Sequence, residues 1–302
     1  MDYLKAAAST DIHRAINTIA DEYQGILSSG VFGFSILGKP LEYITFGVGK
    51  ETHIFVGTHH GSEHITASLL IKFSADIADA AQNGRKLAGF DVSNIRSYRQ
   101  LVIIPMLNPD GADIEQGALP ADHFIFPRLL SMNPHGRDFT HWQANARGVD
   151  LNHNYDAGFY ECKKLEQKLG IFSGGPTRFG GQYPESEPEV QAMCDLTRFF
   201  VPRLKTATAL HTQGEEIYYG YGEKIPDGAK MLADMFSRAS QYAVSKPEGI
   251  ASYGGYKDWV TDKFAIPSFT IECGRGVNPL PPSDFYKIYE KILPILLICA
   301  SF

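Results

Sequence analysis

The stretch GTHHGSEHIT, at positions 57–66, contains three histidines and one glutamate within six positions. Imidazole nitrogen and carboxylate oxygen are both ligands of zinc, and a catalytic zinc site takes three protein ligands and leaves a fourth position for water. His60 and Glu63 are three residues apart, so in a tight turn or a first helical turn their side chains point the same way. We interpret this pair as a candidate metal site, and the alternative is a polar surface turn.

Two further candidate residues end apolar segments elsewhere in the chain. His211 follows TATAL, and Glu272 follows FTI. A polar side chain at the end of a buried segment is costly unless it is satisfied or does chemistry. We expect His211 to be the third metal ligand and Glu272 to be a general base. For Glu272 the alternative is a salt-bridged glutamate at a strand end.

The other histidines of the cluster have competing interpretations. His60 and His64 have the i, i+4 spacing of metalloprotease helices, but Gly61 stands where such helices carry the catalytic glutamate. We therefore expect His59 to support a metal ligand without binding the metal, and His64 to lie on the surface.

Helices and strands alternate along the chain and must bring these residues together. Apolar spacing predicts helices at 12–27, 62–80, 187–204, 228–244 and 282–300, and short apolar runs predict strands at 53–58, 97–111, 206–213 and 266–274. Residues 34–49 alternate around a Gly-Lys-Pro turn, which is typical of a hairpin. This order predicts an α/β fold with a central, mixed, largely parallel, twisted β-sheet flanked by helices. Ligand sites in such folds form beyond the carboxyl ends of strands, where His60, His211 and Glu272 are expected to meet.

Composition and charge narrow the class of protein. The 302 residues are 44% hydrophobic with a net charge of −6, which fits a globular protein without the basic patch of a nucleic-acid binder. We expect a single domain over 1–302, with an N-terminal helical segment at 1–30 and the functional core at 31–302.

The apolar run 292–302 is too short to span a membrane and contains Pro294. The four cysteines lack C-x-x-C spacing, so we expect free thiols rather than a disulfide framework.

Six motifs, taken in order, carry a family resemblance. They are HHGSE at 59–63, NPDG at 108–111, RGVDLNHNYDAGF at 147–159, YPESEPE at 183–189, HTQGE at 211–215 and TIECG at 270–274. Over roughly residues 30–295, the chain resembles the zinc carboxypeptidase family, peptidase M14. The resemblance implies one zinc ion held by His60, Glu63 and His211. It also implies that Glu272 is the general base that activates water and that Asn152 contacts the substrate carboxylate.

Three positions depart from the family pattern. His153 stands where the family carries an arginine that clamps the terminal carboxylate of the substrate, and histidine lacks that bidentate, always-charged grip. Ile250 stands where the family has a tyrosine over the substrate, with Tyr253 close by but displaced. The family arginine that stabilises the oxyanion has no clean match, because the chain is shorter there, and the candidates for its role are Gln143 and Arg147. We favour Arg147 because developing negative charge needs a cation or a strong donor.

The segments WQANARGVDLNHNYDAGF, GPTRFGGQYPESEPE and YGGYKDW most resemble bacterial γ-D-glutamyl-L-diamino acid (meso-diaminopimelate) endopeptidases, which cut cell-wall stem peptides. This resemblance implies a muropeptide substrate with extra polar groups after the scissile bond. Candidates to line the pocket are Arg178, Tyr183, Lys257 and Arg275, and for each the alternative is an ordinary surface or structural residue. Because the N-terminal sequence lacks the apolar core of a signal peptide, we expect a cytoplasmic protein, or a cell-wall-associated one if a leader has been removed.

Three other functions stay open. A general zinc carboxypeptidase would share the site but act on ordinary C-terminal residues. A deacylase of small N-acyl amino acids, as in the aspartoacylase-like branch, would favour an intact arginine pair, against which LNHN argues. A non-catalytic binder of peptidoglycan peptides would be marked by loss of Glu272 or of a zinc ligand, and all of these residues are present.

Overall fold

The computed structural model describes residues 2, 5 and 7–302 of the chain. The strands in this part are β1 (Leu27–Phe34), β2 (Pro40–Phe46), β3 (Glu51–Val56), β4 (Lys86–Leu87), β5 (Phe90–Asp91), β6 (Arg99–Ile104), β7 (Leu204–His211), β8 (Glu216–Tyr219), β9 (Ala243–Ser245) and β10 (Ser268–Glu272). The α-helices are α1 (Ser9–Glu22), α2 (Ile65–Gln82), α3 (Val92–Tyr98), α4 (Pro109–Glu115), α5 (Phe126–Met132), α6 (Phe159–Lys168), α7 (Pro188–Phe200), α8 (Ala229–Ser240), α9 (Tyr256–Phe264) and α10 (Phe285–Ser301).

Eight strands form one mixed sheet in the order β1-β2-β6-β3-β7-β10-β8-β9. The four central strands, β6, β3, β7 and β10, run parallel to one another. On one side β2 and β1 continue the sheet as an antiparallel hairpin, and on the other side β8 is antiparallel to β10 and parallel to β9. This topology confirms the predicted single α/β domain with a mixed, largely parallel sheet. The hairpin predicted over 34–49 is present, but its first strand, β1, lies at Leu27–Phe34, and only the turn and β2 fall within the predicted range.

The N-terminal helix is shorter than the sequence predicts. It ends at Glu22 instead of near residue 27, because Gly25 takes a left-handed backbone (φ +76°) and turns the chain into β1. The predicted helical segment 1–30 is therefore a helix followed by the beginning of an edge strand, and its first residues lie partly outside the described residues.

Two predicted boundaries shift at the end of the sheet that faces the site. The segment 97–111, predicted as a buried strand that ends in a turn, is a strand from Arg99 to Ile104, and its last residues begin α4, which the Asn108 side chain caps by accepting from the Gly111 N–H at 2.9 Å. Helix α2 begins later than predicted, at Ile65, because a separate 3₁₀ turn precedes it. Both changes lengthen the loops at the carboxyl ends of the strands.

Helices cover both faces of the sheet, which explains the continuous apolar runs of its central strands. Along β3, Ile54 and Val56 pack on the face covered by α7 and α9. Phe55 points the other way and packs with residues of α1, α2, α8 and α10. With both faces closed, the strand ends are where polar side chains can gather.

The remaining expectations concern thiols and membranes. The four cysteines are buried free thiols, as predicted. Pro294 lies inside α10, whose buried residues pack against the sheet and α8. Within the part of the chain that the structure describes, no helix combines the length and apolarity needed to cross a membrane.

Candidate metal and active site

The loop that carries His60 and Glu63 leaves the sheet where β3 ends, at Val56. Gly61 is required there, because a Cβ at this position would lie 2.4 Å from the Gly111 backbone. The 3₁₀ turn Gly61–Glu63 then carries the chain back, and the Glu63 N–H donates to the His60 carbonyl at 3.1 Å. The close approach of the Gly61 and Gly111 backbones therefore allows the turn that brings the side chains of His60 and Glu63 together.

Three ligand atoms converge at the end of the parallel strands. Nδ1 of His60 lies 2.9 Å from Glu63 Oε1, and Nδ1 of His211 lies 3.0 Å from Glu63 Oε2. One ligand atom from each of these three residues lies within 4.8 Å of the others. The His60 Nε2–H donates to Asp150 Oδ1 at 3.1 Å, which directs Nδ1 toward the centre. Two imidazoles, one carboxylate and a supporting carboxylate are the donor set of a catalytic zinc site.

The charges at this centre favour a cation. Burial would raise the pKa of Glu63, but His60 and His211 outweigh it and lower that pKa to about 2. Burial would lower the pKa of His60, but Glu63 and Asp150 outweigh it and hold that pKa well above its ordinary value. A positive charge is therefore favourable beside Glu63, and a zinc ion held by His60, Glu63 and His211 would supply one. The residues fit the metal in both geometry and charge.

Strand register brings Glu272 beside the ligands. In the parallel pair of β7 and β10, Glu272 lies directly opposite His211. Burial and the negative charge of Glu63 raise the pKa of Glu272 well above its ordinary value. A carboxyl in this setting takes up a proton readily, and a nearby cation that offsets Glu63 lets it ionise. These are the two states that a residue serving as base and then as acid must reach.

A cavity of about 100 Å³ opens beside these residues. It is lined by His60, Asn152, His153, His211, Tyr218, Pro247, Ala251, Gly255, Lys257, Asp258, Thr270 and Glu272. The predicted substrate contacts Asn152 and His153 are thus both in its lining. Asn152 is held in place because its Oδ1 accepts from the Tyr256 N–H at 3.1 Å.

A buried ion pair forms part of this lining. Lys257 and Asp258 are 5% and 3% exposed, and they hydrogen-bond to each other. Lys257 Nζ also donates to the Gly220 carbonyl at 2.6 Å. Burial raises the pKa of Asp258 in spite of the adjacent ammonium. This pair therefore adds one group of each sign to the lining, which suits a ligand that carries both.

His153, which stands at the arginine position of the family resemblance, is held from behind. Its Nδ1–H donates to the Tyr253 carbonyl at 2.9 Å, and its Nε2 lies 3.9 Å from Asp150 Oδ2. Nδ1 is thereby committed to the backbone, which leaves Nε2 for a substrate. A single imidazole nitrogen cannot make the paired hydrogen bonds of a guanidinium.

The two residues considered for the oxyanion lie outside the cavity lining. Nη1 of Arg147 lies 3.7 Å from Glu187 Oε2, and the Arg147 side chain is 47% exposed. Gln143 Oε1 accepts a hydrogen bond from Thr177 Oγ1. The polar groups of both side chains contact residues of the surrounding loops, Glu187 and Thr177. This geometry therefore does not support the preference for Arg147.

Two other predicted substrate contacts contribute through their backbones instead of their side chains. The Tyr253 carbonyl accepts from the His153 Nδ1–H, and the Arg178 N–H donates to Asp150 Oδ2 at 2.9 Å. Neither side chain lines the cavity, and the same is true of Tyr183 and Arg275. Of the four further pocket candidates taken from the sequence, the lysine alone is in the lining.

The histidines that flank the ligand pair are both buried. His59 contacts the ring of His211, as expected for a supporting residue. The expectation that His64 lies on the surface is wrong, because it is 4% exposed and its Nε2 lies 3.6 Å from Glu115 Oε2. The 3₁₀ turn before α2 points this histidine inward against α4.

Two contacts to the ligands were not singled out from the sequence. Asp150 stands two positions before Asn152 in the motif RGVDLNHN, and its place in that motif is the available signal. Asn278 Nδ2 donates to Glu63 Oε1 at 3.3 Å and to the Thr212 carbonyl at 2.8 Å. No local pattern marks Asn278, because its partner lies far away in the chain.

Known proteins share both the sequence pattern and the fold. The family model described as zinc carboxypeptidase, peptidase M14, matches residues 12–294. The chain belongs to the zinc carboxypeptidase family. It therefore has the site of a zinc-dependent peptidase, with one zinc ion and with His60, Glu63 and His211 as the cluster that can hold it.

Two relatives within this family are similar over most of the chain. The chain is 34% identical over 265 residues to γ-D-glutamyl-L-diamino acid endopeptidase 1 of Lysinibacillus sphaericus, and the match covers 88% of this chain. It spans only 65% of the length of that relative. It is also 30% identical over 288 residues to protein YqgT of Bacillus subtilis (strain 168), covering 94% of this chain and 74% of the relative.

Solved structures show the same fold at lower identity. One is the complex of bovine thrombin-activatable fibrinolysis inhibitor with tick carboxypeptidase inhibitor, which matches at a TM-score of 0.76 and 20% identity and covers 100% of this chain and 98% of the matched chain. Another is murein-tripeptide amidase MpaA from Escherichia coli O157, at a TM-score of 0.54 and 20% identity, covering 92% and 94%. These matches show that the same fold extends over nearly the whole of this chain.

Proposed function

We propose that this protein hydrolyses amide bonds in peptidoglycan stem peptides, at the bond between a γ-D-glutamyl residue and meso-diaminopimelate. The observation that carries the proposal is the buried pair of Lys257 and Asp258 in the lining of the cavity beside the zinc ligands. The side chain of meso-diaminopimelate ends in a second amino-acid centre, which carries an ammonium and a carboxylate. The Lys257–Asp258 pair, with one charge of each sign, is complementary to that centre.

The residues of the site divide the reaction among them. His60, Glu63 and His211 would hold the zinc, which when bound would supply a Lewis acid for the scissile carbonyl and lower the pKa of a water molecule. Glu272 accepts the proton of the attacking water and delivers it to the leaving amine. Asp150 keeps His60 in the tautomer whose Nδ1 faces the metal.

His153 supports the same class of substrate. A guanidinium grips a terminal carboxylate with two charge-assisted hydrogen bonds, each worth about 1.5–3 kcal/mol. His153 offers one nitrogen, because its Nδ1–H is bonded to the Tyr253 carbonyl at 2.9 Å. A simple dipeptide therefore loses much of this binding energy, whereas a diamino acid recovers it at Lys257 and Asp258. The relative named γ-D-glutamyl-L-diamino acid endopeptidase, at 34% identity, favours the same assignment.

Three substrates at matched concentrations test the proposal. The first is L-Ala-γ-D-Glu-meso-diaminopimelate, the second has L-lysine in place of diaminopimelate, and the third is a blocked dipeptide with an ordinary C-terminal L-residue. We expect the highest kcat/KM for the first. The lysine peptide lacks one distal carboxylate, and loss of its charge-assisted hydrogen bond costs about 1.5–3 kcal/mol, or roughly 10–150-fold in kcat/KM.

The other functions correspond to different outcomes of the same measurement. If the blocked dipeptide is hydrolysed as well as the diaminopimelate peptide, the protein is a general carboxypeptidase. If a small N-acyl amino acid is measured beside these three substrates, turnover confined to it would indicate a deacylase. Binding of the diaminopimelate peptide without turnover in the zinc-loaded protein would indicate a non-catalytic binder.

A further inference from the structure

His59 lies directly behind the metal site. Its ring centroid is 5.2 Å from that of His211, and the two planes are 25° apart, so the rings are stacked. His59 is fully buried, and its ring centroid also lies 5.9 Å from those of Tyr155 and Tyr256. It therefore fills the space between one metal ligand and two aromatic rings.

One side-chain hydrogen bond sets the rotation of this imidazole. Nε2 of His59 lies 3.0 Å from Tyr155 Oη. Tyr155 is itself fully buried, with its ring centroid 5.5 Å from that of Tyr256 and 6.0 Å from that of Trp259. The hydroxyl is thus fixed by packing, and the plane of the imidazole is fixed by the hydroxyl.

Packing alone does not account for an imidazole at this position. A buried polar ring costs free energy when its nitrogens are unpaired, and Nδ1 of His59 has no hydrogen-bond partner among the described residues. An apolar side chain would fill the same space without that cost. What the imidazole adds is a plane that Tyr155 can set and a flat face at stacking distance from His211.

The two histidine ligands are held in different ways. The Asp150 carboxylate fixes His60, whose outer nitrogen Nε2 lies 3.1 Å from Asp150 Oδ1. The outer nitrogen of His211, Nε2, has no hydrogen-bond partner among the described residues. Its other nitrogen, Nδ1, lies 3.0 Å from Glu63 Oε2, and the ring must keep this orientation to bind a metal. We propose that His59 is a positioning residue that orients the His211 ring toward the zinc by stacking, and that Tyr155 holds His59 in that role.

Paired tyrosine variants test this proposal. Tyr155→Phe removes the hydrogen bond to His59 and little else. Tyr256→Phe is the matched control, because its ring lies at the same 5.9 Å from His59 while its Oη bonds to Thr197 Oγ1 at 3.0 Å. Zinc affinity is measured by competition with a chromophoric chelator, and ligand geometry by the visible absorption spectrum of the cobalt(II)-substituted protein. We expect Tyr155→Phe to weaken zinc binding about 10–100-fold and to alter the cobalt spectrum, and the control to keep both.

A double-mutant cycle shows whether Tyr155 acts through His59. In a His59→Leu background, adding Tyr155→Phe should weaken zinc binding no further. Circular dichroism of the metal-free variants verifies the fold, and if one single variant folds poorly the other carries the test. Unchanged zinc affinity and cobalt spectrum in the folded variant, an equal loss in the Tyr256→Phe control, or fully additive losses in the cycle would each overturn the proposal. These readouts involve no peptide substrate, so they stand apart from the test of the proposed function.

Discussion

Replacing Lys257 by methionine separates the charge of the pocket from its shape. Methionine keeps most of the lysine stem but removes the ammonium that donates to Asp258 and, at 2.6 Å, to the Gly220 carbonyl. Deleting one partner of a buried ion pair typically costs about 3–5 kcal/mol, because the other charge remains buried without compensation. Asp258 is 3% exposed, so we expect Lys257→Met to lose stability in that range. Urea unfolding of the metal-free protein measures the loss.

A second substitution distinguishes lost stability from lost recognition. Lys257→Met combined with Asp258→Asn removes the uncompensated charge, so the double variant should regain most of the free energy of unfolding. The ammonium that recognises the distal carboxylate of the substrate is absent from both variants. Their selectivity should therefore be equally impaired, although only the single variant is strongly destabilised.

The functional readout is the ratio of kcat/KM for the diaminopimelate peptide to that for the lysine peptide. The wild-type ratio is expected at roughly 10–150, from one charge-assisted hydrogen bond of about 1.5–3 kcal/mol, and both variants should bring it close to one. Lys205→Met is the control, because this lysine lies near the start of β7, at the opposite end of the strand from His211. A double variant that folds, binds zinc and keeps the wild-type ratio would refute the assignment of Lys257 to the distal carboxylate.

Three further predictions concern the base, the metal and a buried acid. Glu272→Gln should keep the fold and the zinc but lower kcat by about 10²–10⁴-fold, and near-normal turnover would remove this residue from the mechanism. Chelation should lower the free energy of unfolding by about 4 kcal/mol relative to protein with zinc at roughly 1,000 times its Kd, whereas His211→Ala should be insensitive to the chelator. Burial raises the pKa of Glu189 to about 7. The folded state then keeps a proton that the unfolded state loses, so Glu189 should contribute a fall of about 3 kcal/mol to the stability of the metal-free protein between roughly pH 4.5 and 7. Glu189→Gln should flatten this part of the pH profile in urea unfolding, and an equally steep fall would contradict the assignment.

The sequence was sufficient to predict the centre of the site because its residues end buried strands. His60 follows β3, and His211 and Glu272 end β7 and β10, which are parallel neighbours whose carboxyl ends share one edge of the sheet. Parallel pairing with both faces covered gives near-continuous apolar runs, so the polar residue that follows each run is conspicuous. Fold class and ligand position were therefore predictable from the same pattern.

The surroundings of the site were less predictable because loops decide them. Arg147 lies near Glu187 and is absent from the cavity lining, and the Tyr253 carbonyl accepts from His153. His64 is turned inward by a 3₁₀ turn that helical spacing does not reveal. Asn278 reaches Glu63 across the fold, and no spacing rule connects them. Side-chain direction in loops depends on such long-range partners, which one sequence does not disclose.

The different supports of the two histidine ligands have a consequence for the base. Glu63 already raises the pKa of Glu272, and Asp150 adds a second negative charge on the far side of His60. A carboxylate behind His211 would stand closer still to Glu272, which lies opposite that histidine in the strand register. It would raise the pKa of the base further and keep it protonated when a proton must be accepted. In the arrangement we propose, stacking by His59 orients the second ligand without adding charge, so the zinc can offset Glu63 and leave Glu272 free to ionise.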